Sequence, residues 1–199
     1  MNEHLRPNRL PATTQAAEGL PRRRFTVAEI EAMVAKGIIA ENERFELIGG
    51  EAVPMSPTGR QHEILRIELA FYMTQRARAD LRVAAEAQLN LTDDTYVVTD
   101  ILVYPASIKS PDVRGPTALL VVEIAYSSLE YDLLTKAPLY ASYGVREYWV
   151  INAKTLVTTV HRQPSGSEYS SVARLTADDR LVPEAAPGLA VTLRELDLG

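Results

Sequence analysis

Two acids stand inside strongly apolar runs. Asp100 lies within Tyr96-Val97-Val98-Thr99-Asp100-Ile101-Leu102-Val103-Tyr104, and Glu123 within Leu119-Leu120-Val121-Val122-Glu123-Ile124-Ala125. Both runs read as buried strands, yet Asp and Glu are almost never fully buried unless paired. An unpaired ionised carboxylate in an apolar site is so costly that it goes neutral instead. If the two strands are neighbours, the two carboxylates also repel each other. A divalent cation relieves both problems, because hard cations take oxygen ligands. The alternative gives each acid an Arg or Lys at a strand end, or leaves it in water; structural ion-pair networks perturb carboxylates as well.

Lys136 follows Glu123 in the next helical stretch, with Asp132 before it and Tyr140 after it. Lys136 and Tyr140 are at i, i+4 and share a helical face. With the helix starting at Thr135, the lysine falls in the first turn, where a cation opposes the macrodipole. It is therefore not placed for helix stability. Beside a cation-activated water it would orient that water or help deprotonate it. As an ordinary surface residue it would form a weak pair with Asp132.

The chain has three His, and His4 and His161 are too far from His62 for a zinc spacing. His62 opens a helix on the stripe His62, Leu65, Leu69, Met73, so it faces inward, as a core or capping residue or as a titrating group. Glu46 lies between Phe45 and Leu47 and reads as an exposed strand residue on the opposite face. There is no P-loop, no G-x-G-x-x-G and no G-x-S-x-G, and His62-Glu63-Ile64-Leu65-Arg66 fails as a metalloprotease motif at its last position. Glycine-loop phosphate binding and serine hydrolase chemistry are unsupported.

The elements that must position these residues are legible. Thr26 with Glu29 forms a capping-box pattern before a helical stripe of Ile30, Met33, Val34 and Ile38, and Gly37 marks its end. Phe45 to Ile48 and Glu51 to Met55 flank Gly49-Gly50, a hairpin signal. Helical periodicity returns over Gln61 to Arg78. Strands are expected at Val83–Leu91, Tyr96–Tyr104, Leu119–Ala125, Glu147–Asn152, Leu156–Arg162 and Glu168–Leu175, with a short one near Leu189–Leu193. A helix is expected over Thr135–Tyr143, with Thr135 as N-cap because Pro138 suits only a first turn, and with Gly144 past its end. Helices interleaved with strands predict an α/β or α+β domain. Strands apolar on both faces predict a central sheet covered on both sides.

The chain has 199 residues, so it spans one domain or at most two. With no cysteine it forms no disulfide, no Cys-ligated metal site and no thiol nucleophile, which fits a cytoplasmic setting. No apolar run approaches a membrane span, and residues 1–24 contain no signal-peptide core. The net charge is −5; residues 1–24 hold five Arg and two Glu, a net of +3, which leaves −8 on the rest. Residues 1–22 read as a flexible basic arm and 23–199 as a single domain. An acidic body does not advertise a nucleic-acid surface.

The order of these pieces nevertheless resembles a known family. Phe45-Glu46-Leu47-Ile48-Gly49-Gly50-Glu51, His62 opening a helix, Thr99-Asp100-Ile101-Leu102-Val103, and Val121-Val122-Glu123-Ile124-Ala125 running on to Asp132, Lys136, Leu139-Tyr140-Ala141 and Gly144-Val145-Arg146-Glu147-Tyr148-Trp149-Val150 are similar to the Uma-type endonuclease family. These are restriction-endonuclease-like proteins of the PD-(D/E)xK superfamily, mostly bacterial, and the likeness runs from about Phe25 to Leu196. The resemblance implies a restriction-endonuclease-like mixed central sheet flanked by helices. It also implies a Mg²⁺-dependent phosphodiesterase site, with Mn²⁺ as the alternative ion, acting on DNA. Asp100 and Glu123 would be catalytic metal ligands. Lys136 would be the catalytic lysine, moved from the strand to the following helix because Ala125 occupies the usual place. Glu46, His62, Asp132 and Tyr140 would be supporting residues. Thr99 stands where Pro is usual. A homodimer is compatible with this arrangement; a membrane partner is not expected. The competing function is a catalytically weak or inactive nuclease-fold protein that binds nucleic acid or a protein partner, which the acidic body favours. The presence of Asp100, Glu123 and Lys136 together favours the enzyme.

Overall fold

The structure, a computed structural model, describes residues 23–55 and 58–199. The expected arm over residues 1–22 lies outside the described residues. The chain divides into two compact units. Of the described residues, one unit holds 23–55 with 93–95, and the other holds 58–92 with 96–199.

In the first unit, helix α1 (Val27–Ala35) starts as its capping box predicts. The Glu29 amide donates to Thr26 Oγ1 at 3.2 Å, and the Thr26 amide donates to Glu29 Oε2 at 2.9 Å. Strands β1 (Phe45–Ile48) and β2 (Glu51–Pro54) form the expected antiparallel hairpin. Gly49 and Gly50 both take left-handed φ, +57° and +79°. Only glycine suits the second position, since a Cβ there would stand 2.5 Å from Arg24 Cβ. Asp93–Thr95 is bound in by main-chain and side-chain bonds: Val27 N to Asp93 O, Gly50 N to Asp94 O and Gly49 N to Thr95 Oγ1.

The second unit is a mixed sheet flanked by helices. Its strands are β3 (Leu81–Thr92), β4 (Thr95–Pro105), β5 (Leu120–Ala125), β6 (Glu147–Asn152), β7 (Thr158–Ser165) and β8 (Glu168–Leu175), adjacent in that order. The β4/β5, β6/β7 and β7/β8 pairs are antiparallel, and β5/β6 is parallel. A parallel pair needs a crossover, and residues 129–142 supply it. Helix α2 (Arg60–Arg76) covers one face: Leu65, Leu69 and Met73 pack with Ile101, Val103, Val122, Ile124 and Trp149. On the other face Ala137, Tyr140 and Ala141 of the crossover pack with Leu102, Val121, Tyr148 and Val150. Every residue of β5 is buried, Glu123 included, as a strand covered on both faces requires. No helix among the described residues is long and apolar enough to cross a membrane.

The crossover departs from expectation. Helical backbone begins at Leu129, as α3 (Leu129–Tyr131), widens into a π-helical turn at Asp132–Lys136 and continues as α4 (Ala137–Ser142). Thr135 is therefore not the N-cap. Within the widened turn the Ala137 amide donates to Asp132 O, five residues back. Pro138 has no amide, and its ring excludes a carbonyl four residues back, so an ordinary α-turn cannot run through it. The far end behaves as expected: Gly144 takes φ +73°, and the Val145 amide returns to Tyr140 O at 3.0 Å. Sequence patterning also missed β9 (Arg180–Leu181), which pairs antiparallel with β10 (Val191–Thr192).

An aromatic row crosses the sheet. Ring centroids are 4.7 Å apart for Tyr140 and Tyr148, 5.4 Å for Tyr148 and His161, and 5.5 Å for His161 and Tyr169. Burial holds the His161 pKa below its ordinary value, against weaker support from main-chain hydrogen bonds. Its neutral form therefore favours the folded state above the unfolded value of about 6.5, and that stability is lost as pH falls through the lower folded value. Urea unfolding across pH should show a steeper loss below about pH 6.5 in the wild type than in His161→Gln. Parallel curves for the two proteins would remove His161 from the acid response.

Candidate active site at the parting of two strands

Asp100 and Glu123 come from adjacent strands. The antiparallel ladder pairs Val103 with Leu120, Leu102 with Val121 and Ile101 with Val122. One step further on along the two strands come Asp100 and Glu123. That step lies beyond the last ladder pair. There the Ile124 amide donates to Asp100 Oδ2 at 2.7 Å, so a side chain takes up a strand amide beyond the ladder.

His62 holds the same carboxylate from α2. Its Nε2 is 3.1 Å from Asp100 Oδ2 and 3.0 Å from Oδ1. The inward stripe of α2 is the one expected, and it brings the first helical turn to the strand end. Nδ1 is buried and lacks a hydrogen-bond partner; Glu63 Oε1 is 3.4 Å away, off hydrogen-bonding geometry. Burial alone would lower the His62 pKa, but the bond to Asp100 and the charges of Asp100 and Glu63 outweigh it and raise the value.

Glu123 is engaged from the other side. Its Oε1 accepts from Lys136 Nζ at 3.0 Å and from Tyr140 OH at 2.7 Å. Lys136 is 6% exposed and Glu123 5%, so this is a buried pair and not a surface one. The alternative weighed for the buried acids, pairing within the protein, is thus present, and the partner of Glu123 is Lys136. The i, i+4 relation of Lys136 and Tyr140 survives the π turn, since both donors reach one oxygen. Asp132 is buried in that turn. Ser128 Oγ donates to its Oδ2 at 2.6 Å, and Tyr148 OH to its main-chain O at 3.2 Å.

Glu46 belongs to β1 of the first unit, and its side chain is 3% exposed where the sequence pattern predicts an exposed one. Strand alternation assumes one wet face, and burial of both faces defeats it. No group of three or more His, Asp or Glu among the described residues is arranged to hold a metal ion.

Sequence reasoning missed one buried acid. Glu147, 1% exposed, opens β6; its Oε1 accepts from Trp149 Nε1 at 2.7 Å and from Arg162 Nε and Nη2 at 3.0 and 2.7 Å. Its Oε2 accepts the Glu184 amide at 2.7 Å. The signal was available, since Glu147 abuts Tyr148-Trp149-Val150-Ile151 just as Asp100 abuts its own apolar run. Full satisfaction by protein donors makes Glu147 an anchor for the segment near residue 184.

Residues 27–194 match the model of the Uma2 family, described as "Putative restriction endonuclease". A crystal structure from Anabaena variabilis, described as a "putative nuclease belonging to DUF820", aligns with a TM-score of 0.67 at 16% identity. The alignment covers 87% of this chain and 97% of that one, and it establishes a shared fold. No curated protein matches the sequence. The fold found is the mixed central sheet flanked by helices that the family resemblance implies.

Proposed function

This chain belongs to the Uma2 family, and we propose that it is a metal-dependent endonuclease hydrolysing DNA phosphodiester bonds. The proposal is carried by Asp100 and Glu123 on adjacent strands where β4 and β5 part, with Lys136 bonded to Glu123. Mg²⁺ fits this donor set, because it is bound through one or two carboxylates and keeps several waters. Asp100 and Glu123 would hold it, or Mn²⁺ in its place. When bound, such an ion activates water and offsets charge on the phosphate.

The chain's own residues supply the positioning. His62 and the Ile124 amide grip Asp100 from a helix and from the neighbouring strand, so the carboxylate is oriented in advance. Tyr140 holds Glu123 from α4. The Lys136 ammonium, anchored on Glu123, is the group to direct the attacking water and to face negative charge growing on the phosphate oxygens. In the reaction one P–O bond forms from water and one P–O bond to a sugar oxygen breaks. The water gives up a proton, and the departing oxygen takes one up.

Incubation with supercoiled plasmid and with single-stranded DNA tests this. Cleavage is expected with Mg²⁺ or Mn²⁺ and none in chelator. Absence of cleavage with either ion on both substrates would overturn the enzyme and leave the binding protein.

A further inference from the structure

We propose that Tyr126 and Lys154 form the contact for an unpaired nucleotide of the DNA strand, the ring stacking on a base and the ammonium pairing with a backbone phosphate. This rests on the nuclease function above and names the form of its substrate.

Tyr126 is the first residue beyond β5, and Lys154 is the second beyond β6. The two strands are parallel and end together at Ala125 and Asn152. The Ala153 amide, donating to Ala125 O at 2.9 Å, holds the two exits side by side. Ligands of open α/β sheets bind outside the carboxyl ends of such strands. At ~3.3 Å per residue, Tyr126 lies about 10 Å along the strand from Glu123.

Tyr126 is 40% exposed, unusual for an aromatic residue beside so apolar a strand. Behind it stands Gly59, the N-cap of α2, where a Cβ would come 3.2 Å from Tyr126 Cδ1. The missing side chain lets the ring lie against the start of the helix that carries His62. Lys154 Nζ sits 4.4 Å from the ring centroid. A cation–π contact at an exposed site is weak, so the ammonium is able to shift from ring to phosphate as a base arrives. An exposed aromatic ring beside a cation is the combination that single-strand binding uses, since every base has a face to stack. Within a duplex those faces are occupied by neighbouring bases, so the platform serves only an unpaired or extruded one. Lys154 also places a positive charge beside the ends of β5 and β6 in a chain that is net acidic.

Fluorescence anisotropy in chelator, using the full chain with a labelled single-stranded oligodeoxynucleotide and with its duplex, tests the contact. Tyr126→Ala should weaken single-strand binding by about 5- to 100-fold, the worth of one base–aromatic stack, and duplex binding by less than about twofold. Tyr126→Phe should keep wild-type affinity. Lys154→Gln should weaken binding and reduce the single-strand salt slope by about 0.7. Unchanged single-strand affinity in Tyr126→Ala overturns the contact. If the wild type still cuts DNA in Mg²⁺, that result leaves the nuclease standing. If the wild type neither binds nor cuts either form, the nuclease falls and the contact with it.

Discussion

Lys136→Met is expected to abolish cation-dependent DNA cleavage and to lower stability by about 3–5 kcal/mol, the usual cost of removing one partner of a buried ion pair. Glu123 would remain in its apolar strand, with the ammonium at 3.0 Å gone and Tyr140 still donating to the same oxygen. Cation binding should survive, because Asp100 and Glu123 are both retained. Asp100→Ala should instead lose cation binding and cleavage together, since it removes a proposed ligand and frees both His62 and the Ile124 amide. Urea unfolding, Mn²⁺ titration calorimetry and nuclease rate on the two variants separate the roles. The double variant Glu123→Gln with Lys136→Met should regain stability without activity, since it leaves no unmatched charge. Full activity in Lys136→Met would remove the lysine from the mechanism. A loss of that size would set Lys136 apart from the surface residue, weakly paired with Asp132, that the sequence also allows. Burial of Lys136 at 6% exposure makes it both a candidate for chemistry and a structural partner.

Glu147→Leu is expected to be of similar size in stability, about 3–5 kcal/mol, and silent in catalysis. Four donors converge on that carboxylate, from Trp149, twice from Arg162 and from the Glu184 main chain. Without it the Arg162 guanidinium, 25% exposed, loses its closest acid, and the Glu184 amide loses its acceptor. Nothing in this cluster touches Asp100, Glu123 or Lys136, so cleavage per folded molecule should match wild type below the unfolding temperature. A loss under about 1 kcal/mol would mean that water replaces the carboxylate at little cost. The contrast between Glu147 and Glu123 shows why a buried acid alone does not identify a site. Both are paired, but only Glu123 lies on a strand next to one that carries a second carboxylate, Asp100.

The sequence by itself determined the elements and named the chemistry. The capping box at Thr26, the Gly49-Gly50 turn, the stripe of α2 and strands β6 and β8 follow from rules that act over a few neighbouring residues. The two acids announced themselves because a carboxylate conflicts with an apolar strand wherever that strand packs. Partners were a different matter, because they depend on register and on which face a helix covers. His62 and Asp100 are 38 residues apart, Asp100 and Ile124 are 24 apart, and Glu123 and Lys136 are 13 apart. Only the tertiary structure decided that Asp100 would be held by a histidine and a strand amide, that Lys136 would be buried on Glu123, and that the crossover would widen around Pro138. It alone buried Glu46 and gave β10 its partner. Local preference sets what a segment becomes, whereas long-range packing sets what each charged group meets, and the free energy of a buried charge depends almost wholly on what it meets.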